Sequence, residues 1–411
     1  MRHRTLTPLA LVLGALTAGT LVAAASAQTT PTTPTSPAAE ASFTFTGRGW
    51  GHGVGMSQYG ARGRALAGWG AGRILRHYYQ GTTLSVVTRR TVRVLLSTSR
   101  RTATLTSPTP WRVVGLRPNG RRITRLKAGV THTLRMLPDG RLAIDRGARR
   151  MAIFTGAARV QALGRGGAVS WGSRRPESSR TYRGSLRAVP AGSTFSLVNV
   201  VDMEDYLKGV VPREMPASWG DDSPAALLAQ AVAARSYALA TMSPTATYDV
   251  FDDTRSQVYG GMSGEDARTS RAVDATRGTV LTYDGRIITA FFFSTSGGET
   301  EDVQNVFRGS GPKAYLVSVP DPFDRLSPYH QWPDPPTFSG ERLGRLLGLD
   351  GPVRDVTVVR RGKSPRVIEA RVTTVSGRQT SVTGTALRAS LGLRDTWFSV
   401  TRTPAIIPAS R

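Results

Sequence analysis

The sequence contains no cysteine among its 411 residues. That excludes disulfide staples and thiolate metal sites, so the fold must be held by its core alone. Histidine is nearly as scarce, occurring at 3, 52, 77, 132 and 330. A zinc site needs about four suitable ligands, and residues so scattered do not supply them. Asp253, Asp266 and Asp274 lack calcium-loop spacing. The glycine-dense stretch near the N-terminus lacks both the Gly-Lys-Ser end and the strand–loop–helix setting of a nucleotide site. No metal and no cofactor is therefore expected. Lysine appears only at 127, 208, 313 and 363. Beyond the N-terminus, no apolar run is long enough to span a bilayer.

Positive charge is abundant. Lys and Arg total 54 against 28 Asp and Glu, a net +26, and nearly all of it is arginine. Such a balance favours polyanions. The basic residues are spread along the chain without interleaved aromatics or a named binding motif, which argues against nucleic acid. Anionic wall polymers or membrane surfaces suit an exported protein better; an arginine bias with no single partner fits equally well. With 39% hydrophobic residues a sizeable core can be buried, and the length suggests two or three domains.

Residues 1–27 read as a secretory signal. Arg2 and Arg4 precede an apolar stretch from Leu6 to Ala25, and Ala25-Ser26-Ala27 offers small residues for cleavage. A Thr/Pro-rich tether over 28–42 follows. The expected location is secreted and cell-wall associated. Residues 43–82 form a Gly-rich block and a glycine-broken helix over about 61–79. Residues 83–189 read as a β-rich module, with short alternating runs and turn signals at Pro118-Asn119-Gly120 and Pro138-Asp139-Gly140. A core over 190–335 and a C-terminal α+β segment over 336–411 complete the chain. The predicted fold class is α+β.

The densest chemistry lies between Phe195 and Met242. Phe195–Val201 is a predicted buried strand leading into a short helical turn with the acidic start Asp202-Met203-Glu204-Asp205. Glu214 follows, flanked by Pro212 and Pro216, which disfavour a regular helix across it. Beside Met215 and Trp219 its carboxyl is placed where burial raises the pKa, as a general acid requires. Ser223 and Pro224 read as the cap and first turn of an alanine-rich helix over 225–241. Helical spacing puts Gln230 and Tyr237 on one face and Arg235 well away from it. Gln230 and Arg235 read either as supports for Glu214 and its ligand or as core polar groups satisfied by backbone. Ser294 and Ser296 follow a predicted strand over 287–293 and suit sugar binding, although turns of this composition are common. Glu299, Glu301 and Asp302 read as a solvated acidic loop.

Three strings carry a resemblance: Gly209-Val210-Val211-Pro212-Arg213-Glu214-Met215-Pro216, Ala229-Gln230-Ala231-Val232-Ala233-Ala234-Arg235-Ser236-Tyr237, and Phe293-Ser294-Thr295-Ser296-Gly297-Gly298-Glu299-Thr300. Together they resemble the stage II sporulation protein D (SpoIID) family, which is also known as amidase enhancer LytB. Gly49-Trp50-Gly51-His52-Gly53-Val54-Gly55-Met56-Ser57-Gln58 matches as well, but stands early in this chain and late in better-known members, as in a circularly permuted order. The resemblance implies a SpoIID-type catalytic body with a β-rich insert, acting as a lytic transglycosylase on peptidoglycan glycan strands stripped of stem peptides. It implies Glu214 as the single acid/base, with His52, Ser57, Gln58, Gln230, Arg235, Tyr237, Ser294 and Ser296 lining or supporting the site. The amidase enhancer label implies an alternative, a non-catalytic wall-binding partner of a cell-wall amidase. Some relatives bind zinc through Cys and His near the Ser-Thr-Ser-Gly-Gly segment; this chain lacks those ligands.

Overall fold

The computed structural model describes residues 41–404 other than 89, 117–122, 165, 173–179 and 244–246. The expected signal, nearly all of the tether and the Pro118-Asn119-Gly120 turn lie outside the described residues. Helices and strands are mixed along the rest, in an α+β arrangement.

The β-rich stretch builds two sheets. One runs in the order Val250–Phe251, Thr91–Arg100, Thr194–Asp202, Ser185–Ala191, Ala158–Ala162, Trp111–Gly115, Ile123–Leu126. The other runs Arg149–Phe154, Leu142–Arg146, His132–Met136, Thr102–Thr106, Ala168–Gly172, Arg180–Arg183. Alternation along these strands sends Val94, Val160 and Leu197 from the first sheet, and Leu105, Leu134 and Ile144 from the second, into one core. The Pro138-Asp139-Gly140 turn joins two strands that pair from Met136 opposite Leu142. The boundary expected near 189–190 falls inside a hairpin, with Ala191 opposite Thr194. The β-rich half and the strand leading toward Glu214 therefore share a sheet.

Strand Thr194–Asp202 feeds directly into helix Met203–Glu214. Asp202 caps it, accepting the Glu204 N–H at 3.1 Å. The sequence predicts only a short turn here; the helix instead continues through Pro212 to Glu214. Proline forfeits the bond to the Lys208 carbonyl, but so near the end little helix is lost. The neighbouring Gly209 carbonyl takes the Gly260 N–H at 2.9 Å, and the Met215 N–H returns to Val211 at 3.0 Å.

The alanine helix Pro224–Thr241 lies between two cores. Ala231, Ala234 and Ala238 face the β-sheets, while Ala229, Val232 and Ala233 face a second cluster with Val54, Met56, Leu75 and Tyr79. Small side chains on both sides allow that close packing. Ser223 stands at the expected cap, but its hydroxyl donates to the Trp219 carbonyl at 2.9 Å and to Asp222 at 2.7 Å instead of accepting a helix N–H. Pro224 removes one unsatisfied N–H by having none. The glycine-broken helix is two helices, Gln58–Leu66 and Ala71–Tyr78, parted by Gly68 at φ +81°.

Strand Ser42–Arg48 lies between Thr337–Ser339 and Trp397–Thr403. Phe43 and Phe45 thereby enter a third core with Phe338, Leu343, Leu387 and Phe398. The acidic loop is not solvated throughout. Glu301 is fully buried and accepts from Asn305 at 2.9 Å, the Lys363 N–H at 3.0 Å and the Ser364 hydroxyl at 2.6 Å. It is an anchor for the C-terminal region. Among the described residues no helix is long and apolar enough to cross a membrane.

Candidate functional site

A cleft of about 570 Å³ gathers residues from positions 50 to 388, and Glu214 is among its lining. Glu214 is half-buried at the end of its helix, and its Oε1 accepts the Val258 N–H at 3.0 Å. Both neighbours of Val258 are pinned. Gln257 accepts from the Tyr206 hydroxyl at 3.1 Å and donates to the Ala234 carbonyl at 3.2 Å. The Tyr259 hydroxyl donates to Asn199 at 2.8 Å. Burial raises the Glu214 carboxyl above its ordinary value, and the Val258 hydrogen bond opposes that only in part. A carboxyl so placed keeps its proton to higher pH than a solvated one.

Tyr237 also lines the cleft; burial first, and then the charge of Glu214, raises its phenol. Gln58 lines it too, and its Nε2 donates to Gln230 Oε1 at 3.4 Å. Gln230 is fully buried, and its own Nε2 has no partner. It supports Gln58 from behind, outside the lining. His52 is in the wall, with Nδ1 accepting the Val54 N–H at 3.1 Å and Nε2 against the Phe292 carbonyl at 3.1 Å. This arrangement fixes the tautomer with the proton on Nε2. Burial, and then the Arg388 charge, lowers its pKa to about 3, so the ring stays neutral.

The glycine-rich segment reaches the cleft by lying along residues 291–295. Trp50 and Thr295 exchange both backbone hydrogen bonds, at 2.9 and 3.0 Å. The Met56 N–H bonds to Phe291 and the Tyr59 N–H to Ser294, each at 3.0 Å. At Gly51, φ +134°, an added Cβ would stand 2.7 Å from that of Phe293. Only glycine permits both the conformation and the approach.

Other sequence-predicted residues lie elsewhere. Arg235 is absent from this lining: fully buried, it pairs with Glu204 at 2.6 Å and donates to the Thr279 carbonyl at 2.9 Å. Ser57 caps helix Gln58–Leu66 by accepting the Gly60 N–H at 3.1 Å. Ser294 lines the cleft, whereas Ser296 is buried and accepts the Gly298 N–H at 3.1 Å. Trp50, Phe307 and Arg388 also line the cleft, none of them singled out by the sequence pattern. Trp50 is 42% exposed and meets Tyr329 edge-on at 4.4 Å. An exposed tryptophan inside a glycine run was a readable signal. Arg388, on a C-terminal helix rich in ordinary surface residues, had none.

Residues 191–283 match the family model described as Stage II sporulation protein. The amidase enhancer of Bacillus subtilis (strain 168) is 47% identical over 182 residues, 38% of this chain and 24% of that protein. Stage II sporulation protein D of the same organism is 34% identical over 201 residues, 44% of this chain and 57% of its own length. Its counterpart in Bacillus amyloliquefaciens is 31% identical over 236 residues, covering 53% and 66% respectively. The chain thus spans less than two thirds of the length of each of these relatives. No solved structure matches. The matched residues contain Glu214, its Val258 donor and the whole alanine helix, so the chain carries a Stage II sporulation protein domain and is similar across it to the SpoIID and amidase enhancer proteins.

Proposed function

We propose that the protein is a peptidoglycan lytic transglycosylase, cleaving glycan strands with Glu214 as both acid and base. The observation that carries this reading is a lone carboxyl, its pKa raised by burial, in a cleft with an aromatic wall. Ordinary glycosidases need a second carboxylate, as nucleophile or as base for water. No other Asp or Glu is in the lining among the described residues. One carboxyl suffices if the sugar's own C6 hydroxyl attacks C1. Glu214 then gives its proton to the departing glycosidic oxygen, and the resulting carboxylate takes the hydroxyl proton as the 1,6-anhydro ring closes. The Val258 N–H steadies the carboxylate between these steps. Arg388 offers a guanidinium to the lactyl carboxylate of a muramic residue freed of its peptide. The N-terminal pattern and the arginine excess favour an exported protein working against an anionic wall.

The test is product analysis by mass on purified, peptide-free glycan strands. The native protein should release anhydro-ended fragments and Glu214→Gln should not; equal release by both rejects the assignment. The 47% identity to an amidase enhancer supports a second reading, a wall-binding partner that stimulates an amidase. On peptide-bearing peptidoglycan, amide cleavage by an added amidase that the protein accelerates, and that Glu214→Gln accelerates equally, would favour it.

A further inference from the structure

A second pocket of about 460 Å³ opens in the β-rich half, where the six-stranded sheet meets the end of strand Thr91–Arg100. Trp171 is half-buried in it, with the Arg100 guanidinium 5.4 Å from its ring centre. Arg180 is exposed and stands 3.9 Å from the Asp252 carboxylate. Tyr182 is only 1% exposed, and its hydroxyl meets no group in good hydrogen-bond geometry, with the Arg180 guanidinium as its one polar contact. A buried hydroxyl left unmatched opposes folding, and phenylalanine would fill the same space without that cost. Its presence at a pocket wall points to a partner that arrives from outside.

The chemistry of that partner follows from the wall. An indole face suits the C–H face of a sugar ring, and the Tyr182 and Thr104 hydroxyls suit its polar rim. Two guanidiniums against one carboxylate leave net positive charge, which suits an anionic substituent. The pocket also adjoins the first cleft along the chain. Asp252 borders one, while Thr254, Arg255 and Ser256 border the other. Residues 252–256 span at most about 14 Å even if fully extended. One polymer can therefore reach both.

We infer that this pocket is a second subsite for a carboxylate-bearing sugar of the strand that enters the Glu214 cleft. The inference rests on the glycan-strand reading. Filling both sites makes the second contact intramolecular, so affinity should rise with strand length.

The test uses the full chain carrying Glu214→Gln, so that ligands are bound and not consumed. The probes are defined GlcNAc–MurNAc oligosaccharides with free lactyl groups, short and long, with neutral chitin oligomers of equal length as controls. The long muramyl oligomer should bind at least tenfold tighter than the short one. Arg180→Ala and Tyr182→Phe should each remove most of that gain. Tyr182→Phe is expected to fold at least as stably as the parent, so a loss of binding is not a loss of structure. An unchanged length advantage in both variants overturns the inference, as does an equal gain for the neutral oligomers. Strand cleavage by the native protein is scored separately. Cleavage without length dependence sinks the subsite alone, and length-dependent binding without cleavage sinks the transglycosylase reading alone.

Discussion

Helix Met203–Glu214 carries a glutamate near each end, and the two live in opposite surroundings. Glu204 lies in the first turn, at the positive end of the helix dipole, and is held by Arg235 at 2.6 Å and the Gly278 N–H at 3.1 Å. Glu214 lies in the last turn, at the negative end, and is bonded only to the Val258 N–H among the described residues. Burial with a cation makes a structural strut. Burial without one makes a carboxyl whose pKa is raised above its ordinary value. The same residue type on one helix is thus assigned two roles by what stands opposite it.

The comparison breaks most sharply at the strut. Arg235→Met strands Glu204 in the interior and should cost about 3–5 kcal/mol in urea unfolding at pH 7. Adding Glu204→Gln should restore a large part of that loss, since no unpaired charge then remains. At the other end, Glu214→Gln should cut glycan cleavage by about 10²–10⁴-fold while the protein stays folded. Because the folded-state pKa of Glu214 is raised, its ionised form weighs against the fold at neutral pH. Thermal unfolding of Glu214→Gln should show a gain in stability at pH 7 that fades as pH falls toward the ordinary carboxylate range.

A third change makes Glu214 resemble Glu204. Tyr237→Lys sets an ammonium near the carboxyl and should lower its pKa by about 1–3 units. Native activity should fall as pH rises through the raised pKa of Glu214, because the acid form is lost. In Tyr237→Lys that alkaline limb should move to lower pH in a rate–pH profile. The smallest effect belongs to the cap: Asp202→Ala should cost about 1 kcal/mol by denaturation and leave the position of the limb unchanged.

Local chemistry was readable wherever a residue's role depends on near neighbours. The separation of Arg235 from Gln230 and Tyr237 followed from helical geometry, whereas the cleft around Glu214 is walled by Tyr237, Val258, Phe291, Phe292 and Phe293 and not by the expected Met215 and Trp219. The pairing of Arg235 with Glu204 was not readable, because 31 residues separate them and either reading of a buried arginine satisfied the pattern. Pro212 misled because the rule against internal proline weakens near a helix end, where only the Lys208 carbonyl loses its bond and little helix follows. The lining contributed by Phe307 and Arg388 is set by tertiary packing, and no periodicity announces it.

Strand Ser42–Arg48 has a consequence in time. It sits between one partner about 300 residues and another about 350 residues further along the chain, so it stays unpaired until most of the described sequence has been made. Closing so large a loop adds little to the equilibrium cost but delays the event, since non-local pairings form slowly. The glycine-rich wall next to that strand pairs with residues 291–295, some 240 residues further along, and so it too waits for distant sequence. A half-synthesised chain should therefore be inert toward glycan, and the lytic capacity proposed for this protein should wait until strand Ser42–Arg48 has found its distant partners.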